Sequence, residues 1–471
     1  VKLSLIVRRY LENRFALLAS EAPNLPRRHQ TLHQTIDWSH DLLSQDEQTI
    51  FRRLGIFTGA FSLQAAEAIC ADDSSSPESF YTILASLLDK SLIQQTEDVD
   101  GEKHFAMLES IRSYALERLE ENKETTTIRE KHLTYYITLA GQATPRSVGL
   151  NRWGYFSPLG LECGNLRAAT QWALEQGRGD VVVQMCRELM HFWYIFGQPG
   201  ELYQWLETAL NFELTPTVRA KALSLTGYVL AFIQIDYLHA QEFYEQALTL
   251  WRKLNDDRQV SEILCQLGTV MMERGEYTRA QALIEESLSI CEKIDDHNML
   301  IGIRECLGIV LLRQGDLDHA EEIFQESLQW WQVRHEVFAT AFSFTYLGVT
   351  AMYRGSYEQA RSMHEQALAI WQTAGDTRGI SAVLNALGPV ALYQGQSEQA
   401  KIFLKQSLKL RWECQDYDGI AWNLERLAEV TRRSLRARDR PARPPRSLLP
   451  AAGSRRSFRL VARDAPRSVR P

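Results

Sequence analysis

The sequence predicts a mainly α fold. A small domain of short helices and a β-hairpin comes first, then a helical connector, then a stack of repeated helix pairs. Three observations predict it. Glycine recurs at 268, 308, 348 and 388, a spacing of 40 each time, inside apolar segments of helical period. Further upstream, short helical segments lead into QQTEDVDGEKHFAML, whose Asp100-Gly101 reads as a hairpin turn. The length of 471 residues, with 45% hydrophobic and 24% charged side chains, fits a globular chain of several structural units.

The repeats carry the argument. LGTVMMERGEYTRAQALIEESL from Leu267, LGIVLLRQGDLDHAEEIFQESL from Leu307, LGVTAMYRGSYEQARSMHEQAL from Leu347 and LGPVALYQGQSEQAKIFLKQSL from Leu387 stack without gaps. Gly268, Gly308, Gly348 and Gly388 lie within the first helix of each pair, where glycine costs about 1 kcal/mol against alanine. That cost points to a close approach by a neighbouring helix. A second series, Gly275, Gly315, Gly355 and Gly395, suits left-handed helix stops. Ala280, Ala320, Ala360 and Ala400, with Ser287, Ser327, Ala367 and Ser407 seven residues on, put small side chains on one face of the second helix. Trp251, Trp331 and Trp371 share one register as core plugs, and Pro389 is expected to kink its helix. An earlier copy keeps Tyr237, Ala240 and Ala247 but lacks the glycines.

This pattern resembles the tetratricopeptide repeat in a 40-residue form, over about 216–431. The resemblance implies a superhelix whose groove binds peptides or helices and performs no chemistry. Candidate groove residues on the first helices are Cys265, Thr269, Met272, Ile309, Leu312, Thr345, Val349, Met352, Asn385 and Leu392. They are apolar and nearly uncharged, which suits an amphipathic helix. The competing reading is that they pack on the next helix.

In the N-terminal third, Ser44 with Glu47 forms a capping box ahead of EQTIFRRLGIF, and Ser62 starts SLQAAEAIC. ESFYTILASLLDKSLI gives a third helix, and a two-stranded wing follows. Asp37 and Trp38 read as structural, the carboxylate bonding a backbone group or an arginine and the indole filling the core. HQTLHQTIDWSHDLLSQDEQTIFRRLGIFTGAFSLQAAEAIC and HFAMLESIRSYALERLEE resemble the winged helix of bacterial STAND-type signalling ATPases of the transcriptional-regulator kind. ECGNLRAATQWALEQG and GELYQWLETAL are similar to that family's helical connector, so the resemblance covers about 1–431. It implies an NB-ARC nucleotide module, of which VKLSLIVRRYLENRFALLASE resembles only the last helix. No G-x-x-x-x-G-K-[ST] loop occurs in the chain, which therefore reads as a fragment or a product lacking its ATPase domain. Where the family has Met-His-Asp to sense nucleotide, this chain has Met107, Leu108 and Glu109; leucine cannot bond a phosphate, and no cofactor is expected.

Other chemistries find no support in the sequence. His29 and His33 are four apart, but no third ligand is near, so a solvated or capping role is expected and no metal site. His33 and His40 show no pairing with a carboxylate and a nucleophile, and no nucleophile elbow or cysteine–histidine signature is present, so no catalytic residues are expected. Seven scattered cysteines without a C-x-x-C pair suit reduced thiols in a cytoplasmic protein. No apolar run spans a bilayer, and no membrane partner is expected.

Charge argues against nucleic acid at the winged helix. Across 72–102 there are eight acids, and Lys90 is the one base. A phosphate backbone would be repelled there. Residues 432–471 hold thirteen Arg against Asp439 and Asp464, leaving 39 basic and 57 acidic side chains elsewhere, a balance of -18. That tail is either a disordered basic arm for nucleic acid or an anionic membrane, or an out-of-frame reading of a GC-rich gene. The expected organisation is a remnant of the nucleotide module over 1–30, a winged helix over 31–122, a connector over 123–215, repeats over 216–431 and the tail over 432–471. The expected function is the sensor half of a bacterial signalling ATPase or transcriptional regulator, binding a protein or peptide effector. The alternative is DNA binding through the winged helix or the tail.

Overall fold

The computed structural model describes residues 32–72, 76–96, 103–143, 159–190, 192–193, 199–413 and 416–436. Two compact units divide the chain, the first taking in the described residues up to Glu188 and the second those from Leu189 onward. His29, Cys414, the Asp100-Gly101 turn, the 1–30 segment and the tail beyond Arg436 lie outside the described residues.

The first unit opens with α1 (Leu32–Asp41) and α2 (Gln45–Leu54). α2 starts where it does because Ser44 Oγ accepts from Glu47 N at 3.3 Å, while the Glu47 carboxylate accepts from Ser44 N at 2.8 Å. β1 (Ala60–Ser62) leads into α3 (Leu63–Cys70), capped by Ser62, and α4 (Pro77–Asp89) follows. β2 (Gln94–Gln95) and β3 (His104–Ala106) form the hairpin. The wing is a three-stranded antiparallel sheet of order β1-β3-β2 rather than a two-stranded one, with Phe61 opposite Phe105. Three residues are too few to show an alternating pattern, so β1 left no periodic signal. α5 (Glu109–Glu121) packs on α2. α6 (Thr125–Ala143), α7 (Cys163–Glu175) and α8 (Gly179–Glu188) pack against one another and complete the unit.

Two expectations in α1 are corrected. Trp38 is 49% exposed instead of filling the core, because Ile36 is the residue that α1 turns inward and a position two further along a helix faces the other way. His33 is half-exposed and bonds two carboxylates rather than capping a helix. Its ring nitrogens lie 3.1 Å from Asp37 Oδ2 and 3.1 Å from Glu117 Oε2, tying α1 to α5. Asp37 does bond an arginine: Arg118 and the Tyr114 hydroxyl each donate to Oδ1 at 2.6 Å. These donors, with the His33 charge, outweigh burial and hold its carboxyl below the usual range.

In the second unit, α9 (Pro199–Ala209) precedes α10 (Pro216–Tyr228), which continues as a π-helical turn over Val229–Ile233. Helix pairs then follow: α11 (Tyr237–Lys253); α12 (Asp257–Glu273) with α13 (Tyr277–Ile294); α14 (His297–Gln314) with α15 (Leu317–Val333); α16 (Val337–Arg354) with α17 (Tyr357–Ala374); and α18 (Thr377–Tyr393) with α19 (Ser397–Glu413). α20 (Tyr417–Arg436) is the last described helix. Consecutive helices pack throughout, and the first helices of successive pairs also touch one another.

The glycines show how closely the pairs pack. A Cβ added to Gly268 would lie 2.5 Å from Ile284 Cγ1; added to Gly348, 2.6 Å from the His364 ring; added to Gly388, 2.8 Å from Leu404. Gly308 would meet Phe324 at 3.0 Å. Each partner is on that glycine's own second helix, where Ala280, Ala320, Ala360 and Ala400 are fully buried. α14 and α16 end at Gly315 and Gly355 with φ of 93° and 86°, the left-handed region that glycine enters without strain. The earlier copy does have its glycine. Gly227 would meet Tyr244 at 2.8 Å, and the π turn after it absorbs the one extra residue that hid the match. α18 runs through Pro389 without ending there.

Candidate effector-binding face of the repeats

The candidate groove residues divide by burial. Met272, Ile309, Leu312, Met352 and Asn385 are buried and belong to the packing between helices. Cys265, Thr269, Thr345, Val349 and Leu392 are half-buried. The hydroxyls of Thr269 and Thr345 donate to the carbonyls one turn back, at Cys265 (3.1 Å) and Ala341 (2.8 Å). The Cys265 and Cys306 thiols meet across α12 and α14, an interaction that raises the first thiol and lowers the second.

A second row on the same helices was missed. Glu273, Arg313, Tyr353 and Tyr393 recur at the 40-residue spacing near the C-terminal end of each first helix, and all four are half-buried. Arg313 reaches back to Glu273 at 3.8 Å, bridging α12 and α14. Burial pushes the Tyr353 hydroxyl up to about 12, opposed by the charges of Arg426 and Arg313. The Tyr393 ring stacks on Tyr357 with centroids 5.2 Å apart. Two turns earlier, Gln266, Cys306, Tyr346, Ala386 and Arg426 form a parallel half-buried row. Tyr346 stacks on Phe324 at 5.2 Å, and burial pushes its hydroxyl up to about 12. These side chains mix charge with aromatic surface, so no apolar stripe marks them. The 40-residue register alone would have found them.

Beneath this face lies a polar core. Glu305 is buried on α14 and accepts from Ser343 Oγ at 2.7 Å and Trp331 Nε1 at 3.3 Å. Burial pushes its carboxyl up to about 7, with the two donors opposing the shift. Asn385 donates to Asn423, which donates to Ser407 at 2.7 Å. Ser407 donates to the Ser381 carbonyl at 2.6 Å. These bonds tie α18, α19 and α20 together. Among the described residues no group of three or more His, Cys, Asp or Glu could hold a metal ion. Burial also raises the thiols of Cys70 and Cys186, which keeps them protonated.

On the winged helix, Lys90 and the described arginines are engaged internally, while Lys103 at the wing is exposed. Lys90, at the end of α4, lies 2.6 Å from Glu47. Every described arginine between 32 and 143 pairs with a carboxylate: Arg52 and Arg53 with Glu124, Arg112 with Glu109, Arg118 with Asp37, and Arg129 with Glu175. Among the described residues no helix is long and apolar enough to cross a membrane.

Residues 219–293, 259–332 and 337–411 match the tetratricopeptide repeat family, and residues 43–120 match the winged helix-turn-helix domain family. Proteins of Mycobacterium tuberculosis and Mycobacterium bovis, provisionally named HTH-type transcriptional regulators, are 31% identical over 268 residues, covering 55% of this chain and 30% of theirs. Uncharacterized proteins of the same two species are 38% identical over 124 residues, covering 26% of this chain and 31% of theirs. The chain thus spans about a third of the length of the curated relatives it matches. A signal transduction ATPase with numerous domains from Pyrococcus horikoshii, with a tetratricopeptide repeat sensor, aligns with a TM-score of 0.44 at 16% identity, covering 87% of this chain and 62% of that one.

Proposed function

We propose that this chain, which joins a winged helix-turn-helix domain to tetratricopeptide repeats, is the sensor portion of a bacterial transcriptional regulator or signalling ATPase. In this reading a protein or peptide effector binds the half-buried face of the first helices, and the chain catalyses no reaction. The observation that carries it is the constant 40-residue register, which lines up Glu273, Arg313, Tyr353 and Tyr393 on successive first helices that touch one another. Repeated pairs cannot bury their faces singly, so stacking builds one extended surface. The relatives named as regulators support the regulatory part. Arg313→Ala and Tyr353→Ala test it: effector affinity should fall about tenfold for each, the scale of a strong interface residue, while far-UV circular dichroism stays unchanged. Unchanged affinity in both folded variants would refute it.

DNA binding is the second reading, favoured by the winged helix-turn-helix match and by the names of the relatives. The internal pairing of Lys90 and the arginines speaks against it at the winged helix. Filter binding with and without residues 432–471 separates the sources. Affinity that survives removal of the tail, with a steep salt slope, would assign DNA contact to the winged helix. Affinity that disappears with the tail would assign it to the thirteen arginines there.

A further inference from the structure

We propose that two copies of this chain pair through an open apolar stripe on α20, each α20 packing antiparallel on the other. This goes beyond the effector-binding reading and does not rest on it. The stripe is Leu424, Leu427, Ala428 and Thr431, spaced so that all four lie on one side of the helix. Leu424 is 48% exposed, Ala428 and Thr431 are exposed, and Leu427 is half-buried. The Thr431 hydroxyl is satisfied within the helix, donating to the Leu427 carbonyl at 2.7 Å. Ile420, Asn423 and Val430 are buried on the side where α20 packs on α18 and α19.

The 40-residue register shows that this stripe is built to be covered. The positions of Leu424 and Ala428 are held by Leu264 and Gly268 on α12, Phe344 and Gly348 on α16, and Leu384 and Gly388 on α18. All six are buried. There each repeat lays its own second helix over the stripe, bringing Ile284, His364 and Leu404 onto the glycines. Among the described residues no helix follows α20 to do the same. The cover must be a helix of comparable length, since α13, α15, α17 and α19 have 17 or 18 residues each. The sequence of 437–471 supplies no unbroken helix of that length, because proline interrupts it at 441, 444, 445, 450 and 466.

Charge complementarity points to a second copy. Glu425 and Arg432 are both exposed and flank the stripe along one edge. Glu425 lies three residues before Ala428, and Arg432 four residues after it. In an antiparallel pair with its two-fold axis beside Ala428, the same edge of each helix meets and the order along it reverses. Glu425 then comes level with Arg432 of the partner subunit, and the contact occurs twice. The small side chain of Ala428 lets the two backbones approach at the centre, as glycine does within each repeat.

Sedimentation of the full chain over a range of concentrations tests the pairing. Dimers should form with a dissociation constant of about 10 µM, the weak end expected of one helix face against another. Ala428→Arg sets two cations beside the two-fold axis and should weaken the dimer at least about tenfold, with the far-UV spectrum unchanged. Glu425→Arg, facing Arg432 of the partner subunit, should weaken it by about tenfold as well. Adding Arg432→Glu to that variant should restore affinity to within about threefold. A chain that stays monomeric at about 100 µM would overturn the proposal and leave the stripe to 437–471 or to a helix of another protein. Dimers that survive Ala428→Arg, or a charge reversal that the second reversal fails to rescue, would overturn it too. Effector binding to the first-helix face can succeed or fail independently of these results.

Discussion

Replacing His364 by leucine removes an imidazole from a place where the other repeats carry an apolar side chain. In the 40-residue register, His364 stands where Tyr244, Ile284, Phe324 and Leu404 stand. It is fully buried against Gly348, and neither ring nitrogen has a hydrogen-bond partner among the described residues. Leaving a buried polar group unpaired costs about 1–3 kcal/mol. Leucine already fits beside Gly388 in the next repeat, so His364→Leu should stabilise the second unit by about 1–3 kcal/mol at pH 7.5. The gain should grow in acid. Burial, aided by the Arg426 charge, lowers the folded-state value of His364 to about 4 from 6.5. The unfolded chain then takes up a proton below pH 6.5 that the folded chain refuses, and stability falls as pH drops toward 4. By pH 5 that linkage amounts to about 2 kcal/mol. Urea unfolding of the full chain at pH 7.5 and pH 5, followed by circular dichroism, measures both effects. The variant should lead at pH 7.5 and lead by about 2 kcal/mol more at pH 5. A less stable variant, or an unchanged gap between the two pH values, would refute the reasoning.

Glu305→Gln should have the opposite pH signature. Burial raises the Glu305 carboxyl to about 7, so the folded state holds a proton that the unfolded chain has lost, and stability falls as pH rises from 4.5 toward 7. The amide should raise stability at pH 8 by up to about 3 kcal/mol, read as a higher melting temperature, and do little at pH 5. Gly268→Ala gains helix propensity but drives a methyl to within 2.5 Å of Ile284. The clash should win, with a net loss of about 1–2 kcal/mol in urea. Ser44→Ala removes one half of the capping box on α2 and should destabilise the first unit by about 1 kcal/mol, readable as a lower melting temperature of that unit.

Much of the helical framework could be read from residue spacing because stacking repeats the same demand every 40 residues. Gly268 and its equivalents face a side chain of their own second helix, and that demand is local enough to leave a fixed signal. Ser44, Glu47 and Ser62 were legible for the same reason, since a cap acts within three residues. What depends on distant partners was not. His33 meets Glu117 and Asp37 meets Arg118 across 84 and 81 residues of chain. β1 exists because β3 pairs with it. Gly227 was hidden because a π turn shifted it by one residue. The face of the first helices was only half legible. An apolar stripe marked Met272, Leu312 and Met352, whose side chains turn into the packing, while the mixed row of Glu273, Arg313, Tyr353 and Tyr393 had no single chemistry to betray it.

If the repeats form a surface that grips another molecule, peptides will bind it through the first helices. A peptide selected from a random library against the purified chain, then titrated by fluorescence polarisation, tests it most directly. Arg313→Ala, Tyr353→Ala and Tyr393→Ala should each weaken that peptide about tenfold, while Glu285→Ala and Gln325→Ala, on exposed positions of the second helices, should leave it within about twofold. A peptide that ignores the first-helix substitutions but is lost with the second-helix ones would contradict the account.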